Sequence, residues 1–117
     1  MERSFLLVGV FAAVFLAACS DTTLSLESSV ARCLTDNGVV MYGADSCPAC
    51  QQQKTLFGDS FPFVEYVECD RSAACQENEV RSIPTWINAQ GDRLVGMRGL
   101  GELAEFGGCA HVLESGV

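Results

Sequence analysis

The spacing of apolar residues changes along the chain in an order typical of an α/β domain. Leu26, Val30 and Leu34 recur one helical turn apart and are followed by Asn37-Gly38, which predicts a helix over about 25–36. The apolar run at 39–42 is rich in residues that favour strands and is bounded by glycines. This run predicts a buried central strand.

The later segments continue the alternation of helices and strands. A helix that opens at Cys47-Pro48 and stops at Gly58 leads into a strand at 61–69, and this order implies a right-handed parallel crossover. The pattern also predicts a short helix within 71–81, an antiparallel hairpin of 85–88 with 93–96, and an amphipathic helix at 100–106. We therefore expect helices flanking a central mixed sheet, built from a parallel βαβ unit and an antiparallel ββα unit.

Length and charge narrow the function classes. At 117 residues the chain accommodates one domain besides its N-terminal segment. It carries 15 acidic against 7 basic side chains, a net charge of −8. Because nucleic-acid affinity depends on Lys and Arg that neutralise phosphates, this balance argues against a nucleic-acid partner.

The N-terminal segment predicts export. Its apolar run at 5–18 is shorter than a membrane-spanning helix and has the length of a signal-peptide core. Leu16-Ala17-Ala18-Cys19 resembles the lipobox of bacterial lipoproteins, which predicts a signal peptide over 1–18, lipidation of Cys19, a tether at 19–25 and the folded domain at 26–117. The alternatives are a plain secretory signal and a retained apolar helix. We expect a lipid-anchored, extracytoplasmic protein.

The cysteine count fits that compartment. With Cys19 lipidated, six of the seven cysteines remain, and six cysteines permit 15 pairings. Pairing Cys47 with Cys50 leaves three ways to join the other four. We favour a local Cys69–Cys75 bridge and a Cys33–Cys109 bridge between the two ends of the domain, since small exported domains use such staples.

Cys47-Pro48-Ala49-Cys50 is the segment that carries chemistry. The spacing puts both sulfurs on the first turn of a helix, where N–H groups and the helix dipole favour a thiolate. The alternatives are an inert disulfide and a metal site, in particular that of a copper or zinc carrier without turnover. A structural zinc site needs four ligands, but Cys69 and Cys75 are spaced too widely for a second ligand pair and His111 is the only histidine. We therefore predict a redox dithiol that uses no metal or cofactor.

A second segment, Ile83-Pro84-Thr85, strengthens this interpretation. It follows the Cys-x-x-Cys segment and precedes the hairpin, and it resembles the cis-proline loop of the thioredoxin superfamily. The resemblance is strongest to the thioredoxin-like domain associated with bacterial vitamin K epoxide reductase homologues. It rests on Met41 to Gln51, Phe57-Gly58, Tyr66 to Cys69, Cys75 and Pro84 to Ile87.

The resemblance implies a function and roles for individual residues. Cys47 would be the nucleophile, Cys50 the resolving thiol, and Ile83, Pro84 and Thr85 the substrate-binding loop. The dithiol of that family passes oxidising equivalents from a membrane quinone-linked oxidase to exported proteins. We therefore expect a protein thiol-disulfide oxidoreductase that works in the oxidising direction.

The sequence also departs from related sites. Cytosolic thioredoxins carry a buried aspartate where this chain has Met41, so Cys50 needs water or another base to remove its proton. Asp45 and Glu68 are candidate helpers, although solvated carboxylates are the simpler expectation, and Lys54 is expected to be a solvated surface residue. The core is predicted to contain Trp86 and the phenylalanines at 57, 61, 63 and 106.

Overall fold

The computed structural model describes residues 25–114. The predicted signal peptide at 1–18, the lipidation site Cys19 and the tether, apart from its last residue Ser25, lie outside these residues. Within 25–114, no helix has the length and apolar character needed to cross a bilayer.

Between residues 25 and 114, nine helices and strands follow one another. They are α1 (Leu26–Asp36), β1 (Val40–Gly43), α2 (Pro48–Phe57), β2 (Glu65–Glu68), α3 (Ala74–Glu77), β3 (Thr85–Ile87), β4 (Arg93–Val95), α4 (Leu100–Phe106) and α5 (Ala110–Glu114). Two 3₁₀ helices, Gly58–Phe63 and Cys69–Arg71, lie on either side of β2.

The four strands form one mixed sheet in the order β2-β1-β3-β4. β1 pairs in parallel with β2 across the α2 crossover, whereas β3 is antiparallel to both β1 and β4. Helices flank this sheet, so the chain has the predicted α/β, thioredoxin-like fold. The parallel βαβ unit and the antiparallel ββα unit meet where β1 pairs with β3.

The core lies where the helices meet the two central strands. Met41 of β1 and Trp86 of β3 are fully buried, and Val30 and Leu34 pack onto them from α1. The start of α1 is capped by Ser25, whose hydroxyl accepts the N–H of Ser28 at 3.1 Å.

The α4–α5 junction approaches α1 too closely for a side chain. A Cβ at Gly107 would lie 2.4 Å from Cδ2 of Leu34. Glycine at 107 therefore lets the two helices pack this closely.

Two disulfides close the domain. Cys33 of α1 is bonded to Cys109 just before α5, and Cys69 is bonded to Cys75 across a short loop. These are the pairings that the sequence favours. In the chain-entropy account the long loop contributes about 4 kcal/mol and the short one about 2 kcal/mol.

Some sequence expectations are wrong in detail. The strand predicted at 61–69 begins only at Glu65, because the 3₁₀ helix before it contains Pro62, which lacks an N–H for strand pairing. Phe63 is not in the core: it is 39% exposed and the guanidinium of Arg32 lies 3.7 Å from its ring centroid. Helix α5 was not predicted, because its five residues are too few to show a period.

A buried glutamine joins α2 to the sheet and to the segment after β4. The Gln53 side-chain oxygen accepts the Trp86 indole N–H at 3.1 Å and the Arg98 backbone N–H at 2.8 Å. Its amide nitrogen donates to the Arg98 carbonyl at 2.8 Å. Gln53 is fully buried, so these bonds replace those that water would make.

We expect Gln53→Ala to lower the free energy of unfolding by about 2–4 kcal/mol, because two buried N–H donors lose their acceptor. Chemical denaturation with both structural disulfides intact measures the change. Gln52→Ala, at an exposed position of the same helix, is the matched control and is expected to change stability by less than about 0.5 kcal/mol. Equal effects of the two substitutions would contradict the role given to Gln53.

Candidate active site

Cys47 and Cys50 lie where the sheet ends and α2 begins. The loop at 44–46 leads from β1 to Cys47, which is the N-cap of α2, and Pro48 occupies the first helical position. Pro is suited to this position because its missing N–H would have no helical partner. The Cys47 sulfur accepts the backbone N–H of Cys50 at 3.1 Å. Both the N–H group and the positive end of the helix favour negative charge on this sulfur.

The predicted substrate loop lies directly opposite Cys47. The Cys47 thiol donates to the Ile83 carbonyl with a sulfur–oxygen distance of 3.8 Å, and the Ile83–Pro84 peptide bond is cis, as the resemblance implies. The loop is held on both sides: the Pro84 carbonyl accepts the Gly96 N–H at 2.7 Å, and the Thr85 hydroxyl donates to the Ser82 carbonyl at 2.6 Å. The fold thus brings together the dithiol and the loop that the sequence analysis singled out.

The two thiols differ in their surroundings. Cys47 is partly exposed, whereas Cys50 is fully buried beneath it, and neither forms a disulfide. Burial, followed by the hydrogen bond with Cys47, raises the pKa of Cys50 to about 12. A backbone hydrogen bond from Ala44 and the charge of Lys54 oppose this rise without cancelling it.

Position 43 sets how deeply Cys50 can lie. A Cβ on Gly43 would be 3.0 Å from the Cys50 sulfur and 3.2 Å from a ring carbon of Tyr66. Both separations are shorter than ordinary van der Waals contacts. The absence of a side chain at Gly43 therefore lets the buried thiol and the Tyr66 ring approach the same stretch of β1.

The charged side chains beside the site form one connected network. Asp45 accepts hydrogen bonds from Lys54 at 3.3 Å and from Arg71 at 3.1 Å, and its own N–H donates to Glu68. Glu68 also accepts the Tyr66 hydroxyl at 3.1 Å. The hydrogen bond from Lys54 is the main cause that holds the pKa of Asp45 below its usual value.

This network corrects two expectations. Lys54 is not a solvated surface residue: its side chain is only 20% exposed, and its ammonium lies 4.2 Å from the Tyr66 ring centroid. Glu68 is half-buried and bonded to the active-site loop, whereas Asp45 is exposed but paired with two cations. Sequence alone did not join these residues because they come from α2, from β2 and from the loop between β1 and α2.

Gln53 is the further residue near the site that the sequence analysis missed. A signal was present, since Gln53 follows Cys50 by three residues and precedes Phe57 by four, which places all three on one helix face. That face is buried. A polar residue on a buried face indicates a specific hydrogen-bonding role.

Metal ligands are not assembled around the dithiol. In the part of the chain that the structure describes, no three His, Cys, Asp or Glu residues are grouped so that they could hold a metal ion. The donors at the site are two thiols and the Ile83 carbonyl that faces Cys47.

The fold and the paired thiols define a thioredoxin-like domain with a Cys-x-x-Cys site. No protein-family model matches the chain. Over 104 residues, 80% of this chain, it is 32% identical to thiol-disulfide oxidoreductase LTO1 of Arabidopsis thaliana. The aligned part is 27% of that protein, so the chain corresponds to about a quarter of the length of this relative.

The two thiols are expected to differ in reactivity. We expect iodoacetamide at about pH 8 to modify Cys47 of the native dithiol and to modify Cys50 at least about 100-fold more slowly, because Cys50 is buried and stays protonated. Mass spectrometry of peptides at successive times measures both rates. Denaturation before labelling is the control and should make the rates similar. Equal labelling in the native protein would contradict the burial of Cys50.

Proposed function

We propose that this chain is an extracytoplasmic, lipid-anchored thiol-disulfide oxidoreductase that introduces disulfides into exported proteins. The observation that carries the proposal is the placement of Cys47. Its sulfur caps α2, is partly exposed, and faces the Ile83 carbonyl, while Cys50 lies beneath it within the same helical turn. A substrate sulfur can reach Cys47, and Cys50 can then close or open a disulfide with it.

The Ile83–Pro84 loop is suited to an extended peptide. Ile83 is partly exposed beside Cys47, whereas Pro84 and Thr85 are buried and fix the loop from beneath. A client segment that pairs with the Ile83 backbone would gain main-chain hydrogen bonds that do not depend on its sequence. This arrangement favours protein substrates of varied sequence over one small molecule.

The proposed oxidising reaction consists of two exchanges. A client thiolate attacks the Cys47 sulfur of the Cys47–Cys50 disulfide, and Cys50 leaves as a thiolate that takes up a proton. A second client thiolate then attacks the client sulfur of the mixed disulfide, and Cys47 leaves. Two electrons pass from the client to the dithiol, and the client gains one disulfide.

The compartment and the partner are inferred from other features. Two structural disulfides in a domain of this size are typical of an oxidising compartment, and the lipobox-like segment ending at Cys19 would hold the domain at a membrane surface. The partner that fits this position is a membrane quinone-linked oxidase of the vitamin K epoxide reductase type, which would reoxidise the dithiol. The similarity to thiol-disulfide oxidoreductase LTO1 supports the class of reaction.

Trapping of clients tests the activity directly. We expect Cys50→Ser in the full chain to accumulate reductant-sensitive adducts with exported proteins, because exchange runs in both directions: the Cys47 thiolate attacks a client disulfide, one client sulfur leaves as a thiol, and no Cys50 thiolate remains to displace the other client sulfur from Cys47. Non-reducing electrophoresis and mass spectrometry of the adducts are the measurements. Cys47→Ser is the matched control and should yield none.

The same variants separate the proposal from metal carriage. A copper or zinc carrier would lose metal affinity in Cys50→Ser and Cys47→Ser alike and would form no adducts. Absence of adducts with Cys50→Ser, in cells that express it at the level of the parent protein, would therefore reject the oxidoreductase proposal.

Anchoring is tested at Cys19. We expect Cys19→Ser to move the protein out of the membrane fraction and to abolish incorporation of a labelled fatty acid, because the acyl chains supply the membrane affinity. Ser20→Ala, which keeps the cysteine, should remain membrane-bound. Unchanged membrane association of Cys19→Ser would contradict a lipid anchor at this residue.

A further inference from the structure

Lys54 is placed to act on the buried thiol. It follows Cys50 by four residues in α2, and residues with this spacing lie on the same helix face with about 5–6 Å between their Cβ atoms. Its side chain is only 20% exposed and turns toward the active-site loop, where the ammonium is 3.3 Å from an oxygen of Asp45. An ammonium in this position is less screened by water than one at the surface.

The ring of Tyr66 connects Lys54 with Cys50. The Lys54 ammonium lies 4.2 Å from the Tyr66 ring centroid, and the same ring and the Cys50 sulfur both approach the space above Gly43. The cation is therefore held by a carboxylate and by aromatic rings, since the Phe61 ring centroid also lies 5.4 Å from the ammonium.

The other ionisable groups around Cys50 do not supply positive charge. Cys47 faces Cys50 from the N-cap of α2, and Tyr66 faces it from β2. Glu68 lies at the end of β2, and Asp45 lies in the loop that precedes α2. Tyr66 remains a neutral phenol, since burial and its hydrogen bond to Glu68 raise its pKa. Met41, which stands where cytosolic thioredoxins carry a buried aspartate, is fully buried and has no charge.

We propose that Lys54 is a positioning residue for the exchange at Cys50, where its ammonium stabilises the thiolate that Cys50 becomes when it attacks or leaves. This inference rests on the proposed oxidoreductase function. Asp45 and Tyr66 hold the ammonium on the side of α2 that carries Cys50, and Lys54 itself forms no bond with the substrate.

The charge acts in both directions of the reaction. When Cys50 resolves a mixed disulfide, it loses a proton, its thiolate forms the bond to Cys47, and the substrate sulfur leaves with the electron pair and takes up a proton. In the oxidising direction Cys50 is the leaving group and carries the negative charge first. Because the Cys50 thiolate occurs in both directions, the ammonium lowers the activation barrier of the exchange in each of them.

The test follows a single turnover of the purified dithiol protein with Ellman's reagent. The first release of chromophore reports the adduct at Cys47, and the second reports its resolution by Cys50. We expect Lys54→Met to slow the second phase about tenfold relative to the first, and to shift the pH profile of that phase upward by about one unit, because one pKa unit corresponds to a tenfold change in thiolate.

Three variants make the result specific. Lys54→Arg keeps the charge and should retain the second phase to within about threefold. Lys54→Gln removes the charge with a polar side chain and should behave like Lys54→Met, which guards against a packing effect of methionine. Arg32→Met removes a cation of α1 that stacks on the Phe63 ring and donates a hydrogen bond to Ser28. This control should leave the second phase unchanged.

The outcomes separate this inference from the proposed function. An unchanged second phase and pH profile in both Lys54→Met and Lys54→Gln would overturn the role of Lys54 while leaving the oxidoreductase proposal intact. A parent protein that shows no second phase would overturn both. Equal slowing in Lys54→Arg and Lys54→Met would show that the effect is structural and would also overturn the inference.

Discussion

The first turn of α2 lies so close to the end of β1 that a Cβ at position 43 would be only 3.0 Å from the Cys50 sulfur. This close approach buries the Cys50 thiol beneath the start of the helix and leaves the Cys47 thiol partly exposed. The other features of the site depend on this difference in exposure. Cys47 caps the helix and faces the Ile83 carbonyl, whereas Cys50 is enclosed and protonated at neutral pH. A dithiol with one accessible and one enclosed sulfur reacts in a fixed order, since only the outer sulfur can meet a protein substrate first.

Two further constraints stabilise the domain, and the first of them acts on α2 directly. From within the core, Gln53 ties the helix to Trp86 of β3 and to both backbone groups of Arg98, so a rotation of the helix would leave several buried polar groups unpaired. At the distant edge of the domain, the Cys33–Cys109 bridge fixes α1 to the start of α5. The hydrogen bonds set the orientation of the helix, and the disulfide lowers the entropy of the unfolded chain. A small domain with a limited core benefits from both.

The sequence predicts the architecture and the reactive pair because both are encoded locally. The change of period around 39–42, the glycine and proline positions, and the two-residue spacing of Cys47 and Cys50 each act over a few neighbouring residues. The 3₁₀ helix at Gly58–Phe63 and the exposure of Phe63 were not predicted, because they depend on how Pro62 and Arg32 fit the neighbouring helices. The partners of Lys54 were missed for the same reason, since a long flexible side chain finds its contacts only after β2 and the loop at 44–46 are in place.

The local disulfide also bears on the redox site, through charges rather than through sulfur exchange. Cys69–Cys75 closes the segment that begins with the 3₁₀ helix Cys69–Arg71 and ends in α3. Arg71 and the preceding Glu68 are both bonded to Asp45, which in turn accepts a hydrogen bond from the Lys54 ammonium. The disulfide restricts the backbone that carries Arg71. It therefore limits where the Arg71 guanidinium can lie when it donates to Asp45. A structural disulfide and a charged network thus combine to fix the loop from which the reactive cysteine emerges.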